Sequence, residues 1–383
     1  MRGAVKGATK GAMTLYRRCI LAALVLTLIV VVAGAYVRLS DAGLGCPDWP
    51  GCYGQLSPHH ASDDILAAHA ADPHGPVSLA KAWKEMIHRY LAGSLGLLLI
   101  AIAVLAWRLR GEREGTARSA PVAALLLLGV VVLQGLLGKW TVTLLLKPAI
   151  VTAHLLGGMA VLGLLAWIAL RASGVRRAAA SPGLVAALRV GLLLLIGQIA
   201  LGGWTSTNYA ALACPDFPTC HGSLWPETDY RNAFHVVREL GMTADGEPLS
   251  FAALTAIHWM HRIGAVLVGG FLLVLGWRLS RQSSSGPMGA ALIGGVLLQI
   301  AIGIANVLFS LPLALAVAHN AGAALLLGIL VWVNHGFCLR PAPAGLRFRA
   351  RPGFAQIGWS AAPHSHGQVL PFRTTTMRKR GHA

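Results

Sequence analysis

Charge is scarce in this chain: only 12% of its 383 residues are Asp, Glu, Lys or Arg, about half of the roughly 25% usual in soluble domains. A globule with a solvated, charged exterior is thereby excluded. Acidic groups are the scarcer kind, 14 against 32 Lys and Arg, for a formal net charge of +18. Such a balance suits nucleic acid, yet no basic patch with interleaved aromatics lies in a segment able to fold in water, so no nucleic-acid partner is expected. What the chain has in quantity is apolar surface, with 55% hydrophobic residues, 45 glycines and a mean hydropathy of +0.63.

Runs free or nearly free of charge fall at about 19–37, 90–107, 120–138, 148–170, 190–208, 252–277, 288–309 and 313–335. Each is close to the roughly 20 residues that cross a bilayer core. The first is too long for the apolar part of a secretory signal, and Gly34-Ala35-Tyr36 is a poor cleavage site, so the span is expected to be retained. An even number of spans puts both ends of the sequence on one side. That side holds 23 of the 32 Lys and Arg and two of the 14 acidic residues, which predicts cytoplasmic termini and a multi-pass protein of a bacterial inner (plasma) membrane. The excess positive charge reads as a topology signal and as contact with anionic lipids of the bilayer.

The chain also matches itself. Cys46-Pro-Asp-Trp-Pro-Gly-Cys52-Tyr-Gly recurs as Cys214-Pro-Asp-Phe-Pro-Thr-Cys220-His-Gly, Ile87-His88-Arg89 as Met260-His261-Arg262, Trp107-Arg108-Leu109 as Trp277-Arg278-Leu279, Gln134 as Gln299, and Ala153-His154 as Ala318-His319. Each copy contains an even number of spans, so the copies share an orientation, as in parallel repeats about an axis along the membrane normal. The expected fold is an all-α membrane protein whose eight transmembrane helices form two tandem-duplicated four-helix bundles. Its parts are a basic cytoplasmic N-tail over 1–18, an N-terminal bundle over 19–172, a C-terminal bundle over 184–338 and a disordered basic cytoplasmic tail over 339–383. His364 and His366 in that tail read as solvated.

His88, His154, His261 and His319 all fall toward the outer side of their spans. Ionisable groups in spans face a bundle interior and a function, and two facing imidazoles in a four-helix bundle suit the axial positions of haem iron. Two matched pairs imply two haem sites, His88 with His154 and His261 with His319; a tetrahedral zinc site needs more ligands at one point. Arg89 and Arg262 follow two of the ligands, placed either to bond a haem propionate or to reach the lipid headgroups. One position breaks the symmetry. Glu85, three residues before His88 and so on the same helix face, stands where the other copy has His258. A carboxylate there either moves protons during chemistry at the porphyrin edge or is a solvated interfacial group; read as the former, it makes the N-terminal site the reactive one. His258 is not chosen over His261 as a ligand.

Four of the six cysteines form two pairs in outer loops, where conditions are oxidising. Each pair can close a short disulfide, Cys46 with Cys52 and Cys214 with Cys220, with cross-pairing or a thiolate zinc site as alternatives. Cys19 and Cys338 read as thiols without a role. His59, His60, His69 and His74, in the first outer loop and outside the repeat, read as solvated.

As an ordered set over about residues 15–338, the duplicated unit, the four histidines, Glu85-Met-Ile-His88 and the paired cysteine loops resemble the haem A synthase family. That resemblance implies oxidation of a methyl group of haem O to a formyl group, by two successive hydroxylations and loss of water. It implies His88 and His154 as ligands of the substrate haem O, His261 and His319 as ligands of a haem b cofactor, and Glu85 as the family's glutamate. Haem O synthase, the farnesyl transferase that makes the substrate, and a terminal oxidase or its assembly factors are the implied partners, and an oligomer is compatible with it. The long segment 53–81 and the tail after Arg340 depart from the pattern. A di-haem cytochrome b relay taking electrons from quinol shares the four histidines without needing the contrast between Glu85 and His258. A haem transporter calls for broken helices at mid-membrane, whereas Pro148 and Pro312 sit at helix starts.

Overall fold

A computed structural model describes residues 2–339 apart from 115, 116, 176 and 284, with main chain only for 2–10, 113, 114, 117 and 118. The expected C-terminal tail, with His364 and His366, lies outside the described residues. In chain order the helices are α1 (Arg2–Leu39), α2 (Ser62–Ala71), α3 (Leu79–Arg108), α4 (Pro121–Thr143), α5 (Pro148–Ser173), α6 (Pro182–Thr207), α7 (Tyr230–Ala233), α8 (Phe251–Ser280), α9 (Gly286–Leu308) and α10 (Leu313–Gly336). All but α2 and α7 are long and apolar enough to cross a membrane, which makes this a multi-pass membrane protein of eight spans. The shortest, 23 residues, covers about 35 Å at 1.5 Å per residue, enough for a hydrocarbon core of about 30 Å.

The helix ends are written in local chemistry. Ser78, Ser181 and Ser250 cap α3, α6 and α8 by accepting hydrogen bonds from Lys81, Leu184 and Ala253 main-chain N–H groups, satisfying donors that a helix start leaves open. Pro121, Pro148 and Pro182 occupy first turns, where a missing N–H costs nothing. Gly174 ends α5 at φ 70°, a left-handed conformation that glycine adopts without strain.

Helices α1, α3, α4 and α5 each touch the next and close into one ring; α6, α8, α9 and α10 close into a second. The rings meet along α1, α5, α6 and α10. One hydrophobic core fills the N-terminal ring around Tyr16, Leu99, Leu127 and Leu165, and another joins the C-terminal ring to α5 around Leu188, Leu272, Leu327 and Leu330. Leu97, Leu193 and Val266 stay 72%, 67% and 74% exposed, as side chains facing lipid do. The strands Ala178–Ala180 and Phe337–Leu339 pair in parallel beyond α5 and α10.

The halves repeat one another in backbone as well as in sequence. Asp41 and Tyr209 share positive φ (49° and 55°), as do Tyr53 and His221 (51° and 54°), Leu145 and Ser310 (49° and 56°), and Leu146 and Leu311 (59° and 61°). Left-handed conformations cost a side-chain-bearing residue roughly 1–2 kcal/mol, so their recurrence with different residues shows that the turn geometry is set by the fold around it.

Several helices begin earlier than the apolar runs. α3 starts at Leu79 where the run starts near 90, and α6 at Pro182 where the run starts near 190. The expected tail over 1–18 is helical from Arg2, with Met13 and Tyr16 buried and the Tyr16 hydroxyl accepting the Ala120 N–H at 3.3 Å. Hydropathy ends where charge begins, but Lys, Arg and Glu are good helix formers, so the helix continues through them. The segment 53–81 is not wholly a loop either: it contains α2, with Asp63 and Asp64 in its first turn and Ile65 buried.

Helices α8 and α9 pack through glycine. A Cβ at Gly289 would lie 2.4 Å from Ser280 N and 2.5 Å from Gly276 O, main-chain atoms that cannot yield. Gly289→Val is expected to force the pair apart and destabilise the protein by about 1–3 kcal/mol, read as a lower unfolding midpoint in detergent; an unchanged midpoint would contradict this crossing.

Candidate functional site

The four histidines sit inside helices at opposite corners of their rings, His88 on α3 facing α5 with His154, and His261 on α8 facing α10 with His319. The His261 and His319 ring centres are 6.5 Å apart and nearly perpendicular, at 83°. Two imidazoles bonded to one ion from opposite sides, each at about 2 Å as for other first-row metals, have ring centres about 6 Å apart. That spacing fits. His88 and His154 are close enough to interact electrostatically. Among the described residues no hydrogen bond occupies Nε2 of any of the four, which leaves those nitrogens free to coordinate. Two imidazoles do not complete a tetrahedral set; they do complete an iron whose other four ligands are porphyrin nitrogens.

The remaining corners are glycine. A Cβ at Gly34 on α1 would lie 2.9 Å from His88 Cε1, at Gly138 on α4 3.4 Å from His154 Cε1, at Gly202 on α6 3.1 Å from His261 Cε1, and at Gly303 on α9 3.1 Å from His319 Cε1. The bare backbone of one helix thus meets the imidazole edge of the next, fixing each ring's place without a side chain filling the bundle centre.

Over the end of each bundle opposite the N-terminus lies a disulfide loop, closed by Cys46–Cys52 in one half and Cys214–Cys220 in the other. Arg89 and Arg262, expected to reach propionates or headgroups, are committed largely to these loops. Arg89 donates to the carbonyls of Asp48, Pro50 and Gly51, and Arg262 to those of Asp216, Thr219 and Cys214. Glu85 is buried rather than solvated, with Oε1 2.6 Å from Arg89 Nη2 and Oε2 accepting the Cys46 N–H at 2.9 Å. His258 takes the same place: Cys214 N approaches its Nδ1 at 3.2 Å and Arg262 Nε its Nε2 at 3.3 Å. A carboxylate accepts both bonds at once, whereas a neutral imidazole has one acceptor nitrogen, so only one of the His258 contacts is a full hydrogen bond at a time.

Each loop is closed on an aspartate. Asp48 accepts from Tyr53 and Gly54 N–H at 2.7 Å each, and Asp216 from His221 and Gly222 at 2.6 and 2.9 Å. The Thr219 hydroxyl and then the Gly222 N–H hold the Asp216 carboxyl down at about 2. In the first outer loop His69 Nδ1 bonds the Val77 carbonyl at 3.0 Å, while His59 and His60 are exposed. Cys19 and Cys338 are free.

Three glutamines lie beside the histidines, of which the repeat exposed Gln134 and Gln299 but not their contacts, and passed over Gln198. Gln198 Nε2 lies 3.0 Å from His261 Nδ1 and 2.9 Å from its carbonyl oxygen, and Gln299 Nε2 lies 3.3 and 2.9 Å from the same atoms of His319. Gln134 packs against Gly157, one turn beyond His154. The signal was present in the spacing, since Gln134, Gln198 and Gln299 each stand four residues before Gly138, Gly202 and Gly303.

Two four-helix rings of membrane-spanning helices, each presenting a facing pair of imidazoles over glycine, define a multi-pass membrane protein with a duplicated histidine site. A profile of the cytochrome oxidase assembly proteins, COX15-CtaA, matches residues 17–331, and the chain belongs to this family. Its relatives include proteins named heme A synthase from Shewanella oneidensis, 43% identical over 82% of this chain and 93% of that protein, Maricaulis maris, 29% identical over 80% and 91%, and Nitrosospira multiformis, 29% identical over 81% and 90%.

Gly202→Ala and Gly303→Ala are each expected to push an imidazole edge aside and, where His261 and His319 hold a haem, to lower its content several-fold and add high-spin character to its absorption spectrum. Full content with an unchanged spectrum would show that these close approaches do not fix the ligands. For Asp216 the sign follows from its depressed carboxyl: the tie is fully present above the unfolded value of about 4 and is lost as pH falls toward 2. Hydrogen exchange at His221 and Gly222, corrected for intrinsic rates, is expected to accelerate in that window, and Asp216→Asn to remove the step.

Proposed function

We propose that this chain is a haem A synthase, binding haem O between His88 and His154 and oxidising one porphyrin methyl group to a formyl group to give haem A for a terminal oxidase. The observation that carries the reading is the repeated ligand scaffold with one copy altered. Both bundles offer the same pair of imidazoles, but only the N-terminal one has a buried carboxylate, Glu85, one turn before a ligand. Sites alike in ligation and unlike in surroundings suit one porphyrin that is changed and one that stays. The names of the relatives, which match this chain over nine-tenths of their own length, support the same assignment.

His261 and His319 would hold the resident haem b, which supplies a one-electron centre when bound. Taking a methyl group to a formyl group by two hydroxylations and loss of water from the geminal diol removes four electrons from that carbon, which one dioxygen balances overall (RCH3 + O2 → RCHO + H2O), and the hydrogens lost from the carbon leave as protons. Glu85 is the group we assign to receive protons, because its bonds to Arg89 and Cys46 leave further lone pairs on the carboxylate. Arg89 and the Cys46 loop hold that carboxylate in place. Arg262 has no carboxylate within 4 Å among the described residues, so we place a haem b propionate beside it; Arg89, already paired with Glu85 and three loop carbonyls, is left to hold the loop. The lipid-facing bundle admits the farnesyl tail of haem O, delivered by haem O synthase, with both termini of the enzyme in the cytoplasm.

Haem extracted from membranes with and without the protein tests the reading. Haem A is expected only with it, and Glu85→Gln is expected to keep both bound haems while conversion falls by about 10²-fold or more, the range for a positioned proton-transfer group. Conversion that persists in both Glu85→Gln and His88→Ala would overturn the site assignment.

A further inference from the structure

Two of the four histidines are hydrogen-bonded to a glutamine, a third has a glutamine in the equivalent notch, and the fourth has none. Gln198 serves His261 and Gln299 serves His319, each binding the ring Nδ1 and the carbonyl of the same residue. Each amide lies in a notch left by a glycine three residues after the histidine. A Cβ at Gly264 would come within 2.2 Å of Gln198 Oε1, one at Gly322 within 2.2 Å of Gln299 Oε1, and one at Gly157 within 1.7 Å of Gln134 Nε2. Gln134 therefore fills the equivalent notch beside His154 with its amide turned end for end. Its Nε2 and the His154 Nδ1 are both without partners among the described residues, so this glutamine fills the notch without making the ring bond that Gln198 and Gln299 make.

At His88 both halves of this device are missing. Four residues before Gly34 stands Val30, and three residues after His88 stands Leu91. The ring meets the Val30 main chain in a backbone hydrogen bond too poor in geometry to satisfy its buried Nδ1, which has no partner of normal geometry among the described residues; no side-chain amide reaches it. The two differences are complementary. A side chain at the notch position occupies the space of the amide, so Leu91 excludes a glutamine on α1, and Val30 has no amide to fill a notch. Drift at a single position does not account for a matched change on two helices.

We infer that His88 is the axial ligand built to let go: Val30 and Leu91 leave it without a side-chain clamp so that porphyrin enters and leaves the N-terminal bundle through that side, while Gln134 fills the notch beside His154. The inference rests on the assignment of the four histidines to haem in the proposed function. Partners behind a metal-bound histidine fix ring orientation, and losing one typically costs about 10–100-fold in metal affinity. A resident cofactor calls for two clamped ligands, and a substrate that must depart as product calls for one that yields.

The test uses the purified full chain with both haems bound. The reduced protein is mixed with carbon monoxide, and in a second measurement the oxidised protein is mixed with excess apomyoglobin as a haem acceptor. One haem is expected to bind carbon monoxide and to transfer to the acceptor at least about 10-fold faster than the other. Val30→Gln with Leu91→Gly should slow both processes at that haem toward the rates of the other, whereas Leu91→Gly alone should not. Gln299→Leu should create carbon monoxide binding at the C-terminal haem. As a check independent of the double variant's folding, His88→Ala is expected to keep its porphyrin on His154 as a five-coordinate, high-spin haem, and His154→Ala to lose it. Equal release of both haems from the unaltered protein, or no effect of the double variant in a protein that still holds both, would overturn the inference while leaving haem O conversion intact. A protein holding no haem at these histidines would overturn the proposed function instead.

Discussion

The constraint that organises this molecule is the cost of placing an imidazole in hydrocarbon. A polar side chain in a span must face protein or a ligand rather than lipid, so each of four histidines turns its helix inward, and two per bundle on opposite helices bring α3 to face α5 and α8 to face α10. The helices between them must then come close to the rings, and Gly34, Gly138, Gly202 and Gly303 permit that approach. Ring closure, the diagonal placement of ligands and the glycine corners are one solution to one problem, reached twice. Apolar packing fills the remainder, with the bulk of the buried leucines lying toward the half of each span away from the loops.

The disulfide loops belong to the same arrangement. Each is tied to a ligand helix by an arginine one residue after the histidine and by an acceptor three residues before it, so loop and ligand share about one and a half turns of backbone. Glu85 and His258 perform the same mechanical task with unequal capacity: the carboxylate accepts two bonds at 2.6 and 2.9 Å, while the imidazole spreads one acceptor over contacts of 3.2 and 3.3 Å. Glu85 therefore has a structural role as well as the chemical one assigned to it. This is why Glu85→Gln, which keeps the shape and one acceptor, is more informative than truncation: truncation would also release the Cys46 loop.

The eight spans were legible because each is a run of apolar residues long enough to cross a bilayer, and the facing imidazoles because His88, His154, His261 and His319 recur in register. Helix starts were less legible, since Lys81, Lys84, Glu85 and Arg89 end the apolar run without ending α3. The arginine contacts could not be read at all: Arg89 and Arg262 follow their histidines as a propionate-binding residue would, and only the folded loops reveal which carbonyls they meet. The glutamines were half visible. Gln134 and Gln299 coincide across the repeat, but Gln198 falls opposite Val30, so a search for identities between the copies passes over it. Self-comparison finds what the two sites share and is blind to a device that one copy has lost, although Gln-x3-Gly is spelled out three times.

Where the copies differ is more informative than where they agree. On the α4 and α5 side of the N-terminal bundle every element has its counterpart, with Gln134 for Gln299, Gly138 for Gly303, His154 for His319 and Gly157 for Gly322. On the α1 and α3 side, Gly34, His88 and Arg89 match their counterparts, while Val30, Glu85 and Leu91 replace Gln198, His258 and Gly264. All three replacements lie around His88. A duplicated scaffold that drifted at random would scatter its differences over both sides of the bundle. Their confinement to one corner gives that corner a distinct task, with a carboxylate gained and a clamp removed at the same ligand. On the proposed reading, proton handling and ligand release lie next to one another in the N-terminal bundle, while in the C-terminal bundle both histidines keep their glutamine bonds, as a resident haem would require.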